Sequence, residues 1–215
     1  MSKQDVIKEI DKYKIITIVR GLTKEQLIPT VEAMYNGGIR LVEVTFDQSG
    51  KFSEEYVANQ IKLISEKFEG KVLVGAGTVI TTRQVDIAKN AGAKYIISPN
   101  TDKDVIKYTV ESGLVSIPGA LTPTEAENAH NWGADYVKMF PAGELGISYI
   151  KAIKAPLSHI KMLAVGGIDE KNLADFLNAG ICGIGVGSNI VKKNLIENNE
   201  YDKITELAKK YTEQI

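Results

Sequence analysis

Three charged residues sit inside runs that otherwise read as core: Arg20 in IITIVR, Glu43 in LVEVTF and Lys138 in ADYVKMFPAG. An unpaired ammonium in such a place costs several kcal/mol or gives up its proton. Two readings fit the trio. A buried ion-pair network would fix strand register. Alternatively, a lysine kept dry has its pKa lowered toward neutrality, so part of it is free amine. Free amine attacks a ketone to form an iminium ion, which then acts as an electron sink. A nearby carboxylate can move protons during addition, cleavage and hydrolysis.

Two glycine-rich turns offer different chemistry. AVGGID places Gly166 and Gly167 after an apolar run, just before a helix, and GIGVGSNIV places Gly187 and Ser188 at the start of a short helix. Glycines there let backbone N–H groups approach an anion, and Ser188 adds a hydroxyl, so the pair reads as a phosphate site. GAGTVIT puts Thr78 where its hydroxyl and the backbone could bind a carboxylate, and ISPN puts Pro99 at the rim. His130 and His159 have no acidic partner at useful spacing and read as surface residues. No His, Cys or carboxylate cluster has metal-ligand spacing, and no nucleophile-elbow or Walker pattern occurs.

The elements that must position these residues follow from periodicity. Asn-x-Gly returns in NGGIRLVEV, NAGAKYIIS, NWGADYVKM and NAGICGIGV, each time closing a helical pattern before a short β-branched or aromatic run. The glycine is the expected left-handed helix cap. With KIITIVR, KVLVGA, LVSIPG and IKMLAV, about eight strands alternate with helices, which predicts parallel pairing and an α/β fold. That count favours a single-domain (β/α)8 TIM barrel over residues 1–215, preceded by a short helix carrying Val6, Ile7, Ile10 and Tyr13. An open doubly wound sheet is disfavoured, because no GxGxxG follows the first strand. Capping boxes are expected at Thr81–Gln84 and Thr122–Glu125, with Pro123 at the first helical position, and Asp169 is expected to cap the helix ending near Leu177. Pro29 predicts a kink or a late start in its helix. Alternation in the strands turns Arg20, Glu43 and Lys138 toward the barrel interior, where they converge.

Composition narrows the function. The chain has 215 residues, a net charge of −1 and 44% hydrophobic residues, which suits a large core and gives no case for wholesale nucleic-acid binding. The lone Cys182 cannot form an internal disulfide, and a reducing cytoplasm is the natural compartment. No signal-peptide core or bilayer-length apolar run is present, so no membrane partner is expected.

The segments IVRG, GGIRLVEVTF, VGAGTV, AGAKYIISP, IPGALTPTE, VKMFPA, VGGI and GVGS, in that order, resemble the bacterial 2-keto-3-deoxy-6-phosphogluconate / 4-hydroxy-2-oxoglutarate aldolases. The resemblance spans roughly residues 15 to 192. It implies a class I, metal-independent aldolase that needs no cofactor, takes a small 2-keto acid and is usually a homotrimer. By the same resemblance Lys138 forms the Schiff base, Glu43 relays protons, and Arg20 and Thr78 line the substrate site. The phosphate turns fall at Gly166, Gly167, Gly187 and Ser188. Phe140 and its apolar neighbours would keep the site dry. Two departures stand out: Ala164-Val165 replaces a common Pro-Thr, and Asp47 stands where some members carry arginine. The first removes a hydroxyl beside the substrate; the second is expected to repel an anionic one. The reaction type survives both, while the preference for the phosphorylated gluconate derivative is put in doubt. The competing expectations are an aldolase for another, unphosphorylated sugar acid, a phosphosugar isomerase or synthase on the same barrel, and a binding or scaffold protein with a vestigial site.

Overall fold

The computed structural model describes residues 1–215. Nine parallel strands form one sheet: β1 (Ile15–Val19), β2 (Leu41–Thr45), β3 (Leu73–Gly77), β4 (Tyr95–Ile97), β5 (Val115–Ile117), β6 (Gly119–Ala120), β7 (Val137–Met139), β8 (Met162–Val165) and β9 (Gly183–Val186). Their order is β5-β4-β3-β2-β1-β9-β8-β7-β6. The two ends of that order are halves of one extended segment interrupted at Pro118, which has no N–H to give a ladder. β5 pairs with β4, β6 pairs with β7, and the ring closes through residues 115–120. The expected (β/α)8 barrel is present, with its fifth strand in two pieces.

Strand parity sorts the side chains into two layers. Val42, Val44, Val74, Ala76, Val137, Met139, Ala164 and Ile184 face outward, in the large core shared with the surrounding helices. Ile16, Leu41, Tyr95, Ile97, Val115, Ile117, Tyr136 and Leu163 face inward as a separate cluster. The N-terminal helix α1 (Lys3–Tyr13) closes this cluster from below with Val6 and Ile10. The Tyr136 hydroxyl donates to Asp11 Oδ1 at 2.7 Å. Tyr136 is two residues before Lys138 on the same inner face, so α1 seals the barrel floor beneath the lysine.

The helices are α2 (Lys24–Asn36), α3 (Glu54–Lys67), α4 (Thr82–Asn90), α5 (Lys103–Glu111), α6 (Pro123–Asn131), α7 (Ala142–Lys154), α8 (Leu173–Asn178), α9 (Lys193–Glu197) and α10 (Tyr201–Thr212). All four Asn-x-Gly glycines, Gly38, Gly92, Gly133 and Gly180, have φ between +92° and +101°. They end helices as expected.

Some local expectations are corrected. α2 starts at its Thr23 cap and runs through Pro29, so it does not start late. The Thr122–Glu125 capping box forms, but Gln84 accepts from the N–H of Ile80 and not from that of Thr81. Asp169 accepts from the N–H groups of Lys171 and Asn172 in a turn, and α8 begins only at Leu173. Likewise Ser188 lies in a turn, and the next helix begins at Lys193. No helix is long and apolar enough to cross a membrane.

Candidate active site

The C-terminal ends of the strands enclose a cavity of about 330 Å³. Its wall includes all ten residues singled out from the sequence: Arg20, Glu43, Thr78, Pro99, Lys138, Phe140, Gly166, Gly167, Gly187 and Ser188. They come from loops and strands spread over the whole chain, so only barrel closure brings them together.

Lys138 is the middle residue of β7, with its N–H on the Pro118 carbonyl at 2.8 Å. Only 7% of it is exposed, and its Nζ stands 4.9 Å from the centroid of the Phe140 ring. Phe140 lines the cavity but is 41% exposed, so it shields the amine on one side without closing the mouth. Glu43 is the middle residue of β2, 3% exposed, with no protein hydrogen-bond donor to its carboxylate. Burial pulls the Lys138 ammonium below the ordinary lysine range; attraction to Glu43 opposes this and repulsion from Arg20 adds to it. Burial also pushes the Glu43 carboxyl above its ordinary range, against the pull of Lys138 and Arg20. Both groups therefore lean toward their neutral forms, as proton transfer near neutral pH requires. They share the cavity without a direct ion pair. A tight register-fixing salt bridge is therefore not what they form.

Arg20 follows β1 and is exposed at the rim, where its Nε donates to Thr45 Oγ1 at 3.2 Å. That bond aims a permanent positive charge along the mouth. Thr78 adopts φ +56°, a left-handed conformation rare for a β-branched residue, and marks a turn held by the surrounding structure.

Gly166 and Gly167 have φ of +85° and +73°. The Gly166 carbonyl accepts from the Gly143 N–H at 2.7 Å, which locks the β8 turn onto the start of α7. Asn189, which the sequence reading passed over, lines the cavity and donates to the Ile168 carbonyl at 2.9 Å, tying the β9 turn to the β8 turn. As a turn residue after Gly-Ser it carried no signal of that long-range bond. Neither turn opens directly into a helix, so any anion held there would rely on turn N–H groups and Ser188 in place of a helix dipole.

The two departures separate. Val165 lines the cavity and presents methyl groups. Asp47 does not line it: its carboxylate accepts from Ser49 Oγ, Ser49 N and the Phe52 N–H, and these bonds hold its pKa down to about 2. Its carboxylate folds the loop after β2 and stays ionised there, outside the cavity wall. His130 and His159 are exposed as expected, yet His159 Nε2 does have an acidic partner, Glu127 at 3.5 Å. No group of three or more His, Cys, Asp or Glu side chains gathers where it could hold a metal ion.

Comparison with known proteins places this geometry among relatives. The family model for KDPG and KHG aldolase matches residues 6–207. The 2-dehydro-3-deoxy-6-phosphogalactonate aldolase of Escherichia coli is 34% identical over 205 residues, covering 95% of this chain and 97% of the relative. The 2-dehydro-3-deoxy-phosphogluconate aldolase of Haemophilus influenzae is 30% identical, covering 96% and 94%. A solved KDPG aldolase from Legionella pneumophila, with pyruvate captured as a covalent carbinolamine intermediate, superposes with a TM-score of 0.83 at 31% identity, covering 92% and 93%.

Proposed function

The chain belongs to the KDPG and KHG aldolase family, and on that premise we propose that it cleaves a 2-keto-4-hydroxy acid to pyruvate and an aldehyde, with Lys138 as nucleophile and Glu43 as proton carrier. The free amine of Lys138 attacks the C2 ketone, and loss of water leaves an iminium ion. Glu43, directly or through a water, takes the C4 hydroxyl proton while the C3–C4 electron pair moves into the iminium. The aldehyde departs, the enamine is protonated at C3, and water releases pyruvate and restores the amine. The observation that carries this reading is the burial of Lys138 and Glu43 in one cavity, each displaced toward its neutral form.

The aldehyde half of the substrate carries the specificity. The named relatives act on 6-phosphogalactonate and phosphogluconate derivatives, so we assign a phosphorylated 2-keto-3-deoxy hexonate to this site. Arg20, Thr78 and Pro99 contact the acid along the mouth, and Gly166, Gly167, Gly187 and Ser188 take the phosphate. The same reading makes residues 1–215 one domain, and the enzyme a cytoplasmic homotrimer in Entner–Doudoroff-type carbohydrate metabolism. Pyruvate release from the gluconate, galactonate and 4-hydroxy-2-oxoglutarate substrates, with and without phosphate, tests it. Release is expected from a phosphorylated hexonate with chelator present. No release from any of them would overturn the reading.

A further inference from the structure

The inward face of β3 is Leu73, Gly75 and Gly77, while Val74 and Ala76 belong to the helix-facing core. Two glycines in a central strand weaken it relative to alanine. Neither uses the left-handed conformation that would justify it. Neither lines the cavity, although Thr78 beside them does. What each supplies is space.

A Cβ on Gly75 would fall 2.6 Å from Tyr95 Cζ and closer still to other ring carbons. A Cβ on Gly77 would fall 2.6 Å from Glu43 Cγ and would overlap Cδ and Oε1. Glu43 stands opposite Gly75 in the ladder, and Thr45 opposite Gly77. The Glu43 side chain therefore leans one step toward the mouth, over Gly77, while the Tyr95 ring fills the level below over Gly75. The Tyr95 hydroxyl fixes that floor by donating to the Val42 carbonyl at 2.7 Å.

We propose that Gly77 is a positioning residue for proton transfer, its bare inner face being what lets the Glu43 carboxylate lie at the mouth beside Lys138. Tyr95 over Gly75 prevents the carboxylate from dropping deeper. The inference rests on Glu43 as the proton carrier. It also gives the glycines of the GAG stretch a steric role.

The test follows exchange of pyruvate methyl protons in D2O, which needs both enamine formation and a proton carrier. Gly77→Ala, Glu43→Ala and the double variant are compared with the unaltered enzyme, with melting temperatures measured for all four. Gly77→Ala should slow exchange by about 100-fold in the unaltered background. On the Glu43→Ala background it should cost no more than about threefold, because the atoms it displaces are gone. Equal losses on both backgrounds, or exchange at the unaltered rate in Gly77→Ala, would overturn the inference. Should Gly77→Ala fail to fold, recovery of folding by Glu43→Ala supports the clash, and failure of the double variant as well overturns it. Exchange at the unaltered rate in Glu43→Ala would remove the reading of Glu43 and this inference with it. An inactive Glu43→Ala beside an unimpaired Gly77→Ala would remove this inference alone.

Discussion

Glu43 on β2 and Lys138 on β7 stand on opposite walls of the barrel, both buried, both facing one cavity and not directly paired. Each is the dominant favourable charge for the other, and burial outweighs that attraction at both.

This sets the sign of the first prediction. Attraction to Glu43 raises the Lys138 pKa, so Glu43→Gln should lower it further. Free amine then persists to lower pH. The pH midpoint for reductive trapping of pyruvate on Lys138 should move downward in Glu43→Gln, even as the rate falls by about 100-fold. An upward move would show that the two groups are not coupled as described.

Stability should move against activity. Lys138 has a folded pKa below the ordinary 10.5, so its charge costs stability in full below the folded value, and the cost fades as pH rises from there to 10.5. Glu43 has a folded pKa above the ordinary 4.5, so its cost to stability grows as pH rises from 4.5 to the folded value and is complete above it. Lys138→Met combined with Glu43→Gln should therefore stabilise the inactive protein by about 1–3 kcal/mol at neutral pH. Urea unfolding measures this, and the advantage should shrink below the folded pKa of Glu43.

The Arg20–Thr45 bond aims the guanidinium without touching the reacting atoms. Thr45→Val keeps shape and removes the acceptor. KM should rise about 3- to 10-fold with kcat nearly unchanged, the loss of one hydrogen bond of about 1 kcal/mol. Steady-state kinetics with a phosphorylated substrate would show the split.

Ser188 should matter only for the phosphate. Ser188→Ala should lower kcat/KM about tenfold for a phosphorylated substrate, as loss of a hydrogen bond to a charged group does. It should leave the unphosphorylated analogue within about twofold. Equal losses on both substrates would place Ser188 outside the phosphate subsite.

Much of this site was legible because strand parity is a local property. IITIVR, LVEVTF and YVKMF assign Arg20, Glu43 and Lys138 to one face without any tertiary information, and the barrel does the rest. Part of what escaped depends on contacts between distant segments, and part on local turns that the residue types leave open. Tyr95 in KYIIS reads equally well as inward or outward, and only the gap over Gly75 assigns it. The Asp47 carboxylate accepts from Ser49 and from Phe52 five residues on, a loop-folding role that reading it only as a charge overlooked. Glu127 on α6 and His159 in the turn after α7 meet at a sequence distance that no spacing announces. The β9 turn looked like a helix start because Gly-Ser suits both, yet the helix begins at Lys193.

The most direct measurement is borohydride reduction of the protein in the presence of pyruvate, followed by mass mapping of the adduct. The account predicts one reduced pyruvate adduct, on the peptide holding Lys138, and none in Lys138→Arg. An adduct on another lysine, or no adduct in an enzyme that still releases pyruvate, would contradict it.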